Sequence, residues 1–257
     1  MSQHTLDTKD LEQRVSQMYH EVAVHPEHEF HFETGRALAE RLGYPAGELD
    51  AIPAGAIDSF AGVGYFLDLA GIQPGETVLD LGSGSGMDSM LAARHTGPDG
   101  KVTGIDFTQA QLDKATRLAT EAGLGQVEFQ RGYIEQTPVA DGSVDVAISN
   151  GVINLSPDKS VVFGEIARVL RPGGRLALAD IVTDSQLPEG VTCDASLWAA
   201  CIGGAMQIDA YRAAIEAAGL RIESVRVNDE YKFLSDSAAG ATEKWGVKSI
   251  SLLAVRP

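Results

Sequence analysis

Val78-Leu79-Asp80-Leu81-Gly82-Ser83-Gly84-Ser85-Gly86 is the stretch on which the fold turns. Its apolar start, with Thr77, reads as a short buried strand, and residues 87–95 beyond the glycines read as a helix. The same alternation repeats downstream. Strands are expected at 101–106, 127–130, 144–148 and 175–181, and helices at 109–122 and 161–170. Leu112, Ala115, Leu118 and Ala119 share one face of the first of these helices, and Pro172-Gly173-Gly174 reads as the stop of the second. Repeated strand–helix units imply a parallel sheet covered on both faces. The tail breaks the pattern. Residues 197–218 read as one helix, and 220–227 and 249–255 as two strands needing no helical crossover between them, hence an antiparallel edge. Upstream, residues 1–75 are helical in character: Leu11, Val15, Met18 and Val22 form an amphipathic stripe, and Gly43 closes a short helix over 34–42.

Open α/β sheets bind ligands at the carboxyl ends of their strands, so the glycine loop is the expected site. The dinucleotide pattern G-x-G-x-x-G requires glycine where Met87 stands, and the Walker pattern requires a lysine that is absent. Asp80 and Asp88 flank the loop. They repel a pyrophosphate and attract a cation. S-adenosylmethionine carries an ammonium and a sulfonium and no phosphate. Asp106 ends the second strand, where an acid accepts from ribose hydroxyls, and Phe107 follows with a face for adenine. An acid at that place alone suits NAD equally; the acid-flanked loop favours S-adenosylmethionine.

Four ordered segments carry a family resemblance: 78–86, Gly104-Ile105-Asp106, Asp141-Gly142-Ser143-Val144-Asp145 and Leu170-Arg171-Pro172-Gly173-Gly174. With them, residues 76–182 resemble the class I S-adenosylmethionine-dependent methyltransferases. The resemblance implies a Rossmann-like α/β fold: a seven-stranded, mostly parallel sheet with an antiparallel last strand. An N-terminal helical cap or lid over 1–75 and a methyltransferase core over 76–257 follow from it, with a helical substrate-side insertion near 187–218, the whole forming one compact unit. It also implies an enzyme whose cofactor is S-adenosyl-L-methionine and whose product is S-adenosyl-L-homocysteine. Carried over residue by residue, Asp80, Gly82, Ser83, Gly84, Gly86 and Asp88 border the methionine end. Asp106 and Phe107 border the ribose and adenine, and Gly132, Tyr133, Ile134 and Glu135 the adenine. Tyr133 stands where many of these enzymes have an acid. Ser149, Asn150 and Asn154 fall near the transferred methyl, Asn150 as a cofactor-binding residue and Asn154 as a catalytic candidate. In resembling proteins the first helix covers the cofactor, so Tyr19 and His20 are the candidate catalytic pair there, with His25, His28 and His31 nearby.

A closer resemblance covers most of the chain. Ser149-Asn150-Gly151-Val152-Ile153-Asn154-Leu155-Ser156-Pro157-Asp158-Lys159 is very similar to a segment of arsenite methyltransferases. Leu42-Gly43-Tyr44, Ile52-Pro53-Ala54-Gly55-Ala56, Leu197-Trp198-Ala199-Ala200-Cys201-Ile202-Gly203-Gly204-Ala205 and Ala254-Val255-Arg256-Pro257 fit the same family. That family holds trivalent arsenic through cysteine thiolates. One of them lies where this chain has Gly151, another in the loop that here reads Phe60-Ala61-Gly62-Val63-Gly64-Tyr65; only Cys201 matches. A soft centre needs two or three soft ligands. The expectation is therefore an arsenite-methyltransferase-like protein that methylates another small molecule, with Tyr65, Trp198 and Cys201 on the substrate side. Trp198 is equally a core residue by its helical spacing from Met206. The alternatives are metalloid methylation through Cys201 and Cys193, a methyltransferase fold that binds the cofactor without methylating, and an NAD-binding oxidoreductase.

Composition narrows the partners. The chain has 257 residues, 44% apolar and 22% charged, which excludes a disordered chain. Lys+Arg is 20 against 36 Asp+Glu, a net charge of −16, and no basic cluster stands out, so nucleic acid and anionic membranes are not expected partners. No apolar run approaches the ~18 residues of a membrane span, and residues 1–14 lack the apolar core of a signal peptide. Cys193 and Cys201, ~12 Å apart if helical, cannot pair without rearrangement. These facts favour a cytoplasmic protein. His25, His28 and His31 are spaced by three, but Pro26 and the adjacent Glu27, Glu29 and Glu33 favour a solvated segment over zinc, and no metal is expected.

Overall fold

Side chains alternate along the central strand β1 (Thr77–Leu81), and the alternation sorts the core into two layers. Val78 joins the layer of Phe66, Met90, Val146 and Ala177, while Leu79 and Leu81 join the opposite layer of Phe163, Leu176 and Tyr211. The structure, a computed structural model, describes residues 6–193, 198, 202–234 and 236–257.

The strands that follow are β2 (Lys101–Asp106), β3 (Val127–Arg131), β4 (Val144–Asn150), β5 (Leu170–Thr183), the two-residue β6 (Met206–Gln207), β7 (Arg221–Val227) and β8 (Lys248–Val255). Their order in the sheet is β3-β2-β1-β4-β5-β8-β7, with β6 beside the end of β5. Pairings from β3 to β5 are parallel, and β8 runs antiparallel to both β5 and β7. The expected antiparallel last strand is present, one place in from the edge. Its burial explains the position: β8 is covered along most of its length, whereas β7 is largely exposed and takes the edge.

Helices α6 (Met87–Thr96), α7 (Gln109–Glu121) and α8 (Lys159–Val169) make the crossovers. Leu112, Ala115, Leu118 and Ala119 of α7 are all buried. Asp158 caps α8 by accepting from the backbone N–H groups of Ser160 and Val161.

Three readings of the tail change. Pro172-Gly173-Gly174 lies inside the long β5, whose first residue Leu170 already pairs with Val144. The single helix over 197–218 is broken. A Cβ on Gly204 would fall 1.9 Å from the Asn154 carbonyl oxygen, so this backbone approach needs glycine. Beyond it come β6 and a helix over Ile208–Ala217 capped by Gln207. A further helix, Asp236–Trp245, separates β7 from β8, although an antiparallel pair needs none.

Ahead of β1 lie α1 (Thr8–Val24), α2 (Arg36–Leu42), α3 (Ala46–Leu49), α4 (Ala54–Asp58) and α5 (Leu67–Ala70). Gly43 closes α2 in the left-handed conformation, at φ 103°. Leu11, Val15 and Val22 of the expected α1 stripe are buried, with Ala23. Two arginines fasten this region to the sheet. Arg175 of β5 donates to both Glu76 oxygens at 2.9 and 2.7 Å and to the Gly71 carbonyl, and Arg226 of β7 to Asp68 and the Tyr65 carbonyl. Among the described residues no helix is long and apolar enough to cross a membrane.

Candidate active site

The carboxyl ends of β1, β2 and β4 open into a cavity of about 280 Å³ roofed by α1. Asp80 closes β1 and is buried, as is Asp88 in the first turn of α6. Between them the backbone takes left-handed φ at Gly82 (74°) and Gly84 (52°). A Cβ on Gly82 would fall 2.3 Å from Val152 Cγ2 on the opposite wall, so both its conformation and its surroundings require glycine. Asp106, at the end of β2, holds the loop in shape. Its Oδ2 accepts from the Gly84 N–H at 3.0 Å and its Oδ1 from the Thr108 N–H at 2.8 Å.

Among the described residues none of these three carboxylates pairs with a Lys or Arg; their partners are neutral. Asp80 accepts from the Ser89 hydroxyl at 2.6 Å, and Asp88 from the Tyr44 hydroxyl at 2.7 Å and the Asn150 amide at 3.1 Å. Burial, then the charge of Asp88, pushes the Asp80 carboxyl up to about 8. Burial raises Asp88 to about 6 against those two hydrogen bonds, and it raises Asp106 as well.

Asn150 ends β4 and joins three segments. Its Oδ1 accepts from the Val63 N–H at 2.8 Å, and its Nδ2 reaches the Gly64 carbonyl, the Tyr44 hydroxyl and Asp88. Across the cavity, Phe107 and Tyr133 lie parallel, 6.2 Å between centroids and 8° between planes. Tyr133 donates to Glu12 of α1 at 2.6 Å, and Gln111 donates to the Tyr19 carbonyl at 2.8 Å; both bonds tie the roof down. Glu135 accepts from the Ser156 hydroxyl. The Ser83 hydroxyl is buried in the wall without a hydrogen-bond partner among the described residues.

The structure brings Tyr19, Asp80, Gly82, Ser83, Gly84, Asp88, Asp106, Phe107, Gly132, Tyr133, Ile134, Glu135 and Asn150 to this cavity. Six expected residues do not line it, among them Ser149, which is buried with its hydroxyl donating to the Leu81 carbonyl. Leu11, Val15 and Tyr19 recur every fourth residue on one face of α1, and His20, about 100° further round, is exposed. Asn154 is buried behind the wall, its N–H on Asp180 and its carbonyl accepting from Lys159. Gly86 serves packing instead, for a Cβ there would fall 2.7 Å from Phe129 Cζ. Tyr65 packs edge-on against Tyr44. Trp198 packs behind the roof with Leu11 and Val15, its Nε1 donating to the Thr192 carbonyl. Cys201 lies outside the described residues. Tyr44 and Gln111 escaped the sequence reading. Gln111 left one trace, a polar residue beside Leu112 on the buried face of α7.

His25, Glu27 and His28 bring ligand atoms within 4.8 Å of one another, all exposed and away from the cavity; His31 is not among them.

The donor set fits S-adenosylmethionine. Buried carboxylates held only by neutral donors suit its cationic methionine end. The partnerless Ser83 hydroxyl offers a further hydrogen bond, and the parallel Phe107 and Tyr133 offer faces for a flat base.

Residues 72–219 match the model of a methyltransferase-domain family. An arsenite methyltransferase of Halobacterium salinarum is 43% identical over 205 residues, covering 79% of this chain and 52% of that protein. The chain thus spans about half the length of that curated relative. The solved arsenic(III) S-adenosylmethionine methyltransferase of Chlamydomonas reinhardtii is similar at 31% identity and a TM-score of 0.65, over 86% of this chain and 73% of that one. A geranyl diphosphate C-methyltransferase of Streptomyces coelicolor shares the fold at 17% identity, with a TM-score of 0.70 over 98% of this chain and all of that one.

Proposed function

The chain belongs to the methyltransferase-domain family, close to the arsenite methyltransferases within class I, and on that premise we propose that it transfers a methyl group from S-adenosylmethionine to a small-molecule acceptor other than arsenite. One observation carries the cofactor assignment: the buried Asp80 and Asp88 and the half-buried Asp106 converge on the glycine loop with no Lys or Arg partner among the described residues. S-adenosylmethionine, when bound, supplies a methyl group on positively charged sulfur.

The chain's residues hold and orient. Asp80 and Asp88 hold the methionine end by charge, and Asp106 turns its free lone pairs to the ribose. Asn150 fixes Asp88 and the loop at Val63 in one arrangement. Leu11, Val15 and Tyr19 roof the cavity and exclude water. No His or Lys stands among the described lining residues, and the chain's main contribution to the displacement is positioning. Residues 1–75 act as the cap of this site and 76–257 as its core. Two cysteines for which no disulfide is expected suit a reducing cytoplasm.

Metalloid methylation is the second reading, favoured by the arsenite-methylating relatives. Against it, Gly151 lies against Val63, with a Cβ at Gly151 falling 3.1 Å from Val63 Cγ1, and neither segment carries sulfur. Calorimetric titration with S-adenosylhomocysteine tests the proposal. It predicts micromolar binding to the full chain, and absence of binding overturns it.

A further inference from the structure

The same cavity restricts what the acceptor can be. Its described walls hold five carboxylates, Glu12, Asp80, Asp88, Asp106 and Glu135, and no Lys, Arg or His. Among the described residues none of the five is in an ion pair: Tyr133 donates to Glu12, Ser156 to Glu135, and neutral groups to the three aspartates.

Two lysines stand behind the walls, and neither lines the cavity. Lys114 donates to the Ala23 carbonyl and the Ser59 hydroxyl, and Lys159 to the Asn154 and Ser156 carbonyls. The apolar part of the lining is Leu11, Val15, Tyr19, Phe60, Val152 and Leu155, of which Leu11, Val15, Tyr19 and Leu155 cluster with Phe107.

With Asp80 protonated the empty lining carries up to four negative charges, and a cofactor of net charge +1 that ionises Asp80 leaves the same excess of negative charge. A single like charge ~8 Å away at an effective dielectric of ~20 weakens binding by roughly thirtyfold. We propose that the acceptor is an uncharged molecule with an apolar body, and that carboxylate-, sulfate- and phosphate-bearing molecules are excluded by the acidic lining. The inference rests on the cofactor assignment above, and the acceptor then meets the apolar lining beside the cofactor.

Two fluorescent probes separate charge from shape. N-phenyl-1-naphthylamine is uncharged; 1-anilinonaphthalene-8-sulfonate has the same rings and one sulfonate. Both are titrated into the full chain saturated with S-adenosylhomocysteine, whose binding is first measured by calorimetry. The uncharged probe is expected to bind at least tenfold more tightly. Val15→Phe, which adds bulk to the apolar lining, should weaken it at least fivefold. Glu12→Gln keeps an acceptor for Tyr133 and removes one charge. It should tighten the sulfonate about three- to tenfold relative to the uncharged probe measured on the same variant.

Equal affinities, or a sulfonate indifferent to Glu12→Gln, overturn the inference. So does an uncharged probe that is not displaced by Val15→Phe in a variant that still binds S-adenosylhomocysteine. Failure of S-adenosylhomocysteine to bind at all refutes the cofactor assignment instead, and the two failures are read in separate titrations.

Discussion

The Tyr44 hydroxyl donates to Asp88 Oδ1 at 2.7 Å, joining the helices ahead of the sheet to the first turn of α6. Tyr44 is fully buried, against Phe60 and Tyr65, and Asn150 reaches the same carboxylate from β4. The bond therefore reports whether the region before β1 and the cofactor loop act together.

Tyr44→Phe keeps the ring and removes the donor. S-adenosylhomocysteine affinity should fall about tenfold, the worth of one hydrogen bond to a charged group. Losing the donor lets the Asp88 carboxyl rise above about 6, so the loss should be larger at pH 6 than at pH 8. Titrations at both pH values check this, and a loss independent of pH would mark Tyr44 as packing alone.

The Asp80 carboxyl, pushed up to about 8 by burial and by Asp88, holds a proton at neutral pH when nothing cationic is bound. A cation favours the ionised form, so binding releases a proton. Affinity should rise with pH from 6 and level off above about 8. Calorimetry at pH 7 in buffers of different ionisation enthalpy should show the release, and Asp80→Asn should abolish both the release and most of the affinity.

The same group makes the unliganded fold pH-sensitive. A carboxyl raised in the folded state stabilises below its unfolded value near 4, and that share is lost as pH rises through about 8. Asp80→Asn should flatten the fall in Tm between pH 5 and 8, as measured by thermal denaturation. An unchanged slope would show that Asp80 titrates normally.

Gly82→Ala meets two obstacles, a left-handed backbone and Val152 Cγ2 at 2.3 Å. S-adenosylhomocysteine affinity should drop at least 100-fold. Adding Val152→Ala should recover part of it, leaving the roughly 1–2 kcal/mol of conformational strain. Full recovery would assign the whole effect to the clash.

Arsenite incubated with S-adenosylmethionine, a thiol reductant and the protein should give no methylated arsenical. Turnover that disappears in Cys201→Ser would restore the metalloid reading.

Much of this was legible in the sequence, for physical reasons. The glycine loop between β1 and α6 and the acid at the end of β2 are local patterns, and the residues flanking them reach the cavity. Readings failed where tertiary contact decided. His20 and Tyr19 are neighbours in sequence, but only one faces inward. Asn154, expected near the transferred methyl, is buried with its N–H on Asp180. Tyr44 lies 44 residues from the carboxylate it serves, and no periodicity joins them. The helix expected over 197–218 failed at Gly204, where the Asn154 backbone comes too close for any side chain.

The central claim is that the loop from Asp80 to Asp88 and the acid at Asp106 hold S-adenosylmethionine. Calorimetric titration of S-adenosylmethionine into the wild type and into Asp106→Ala tests it most directly. The account predicts one site of micromolar affinity in the wild type and a loss of at least 100-fold in the variant; no binding to the wild type, or equal affinity in both, would contradict it.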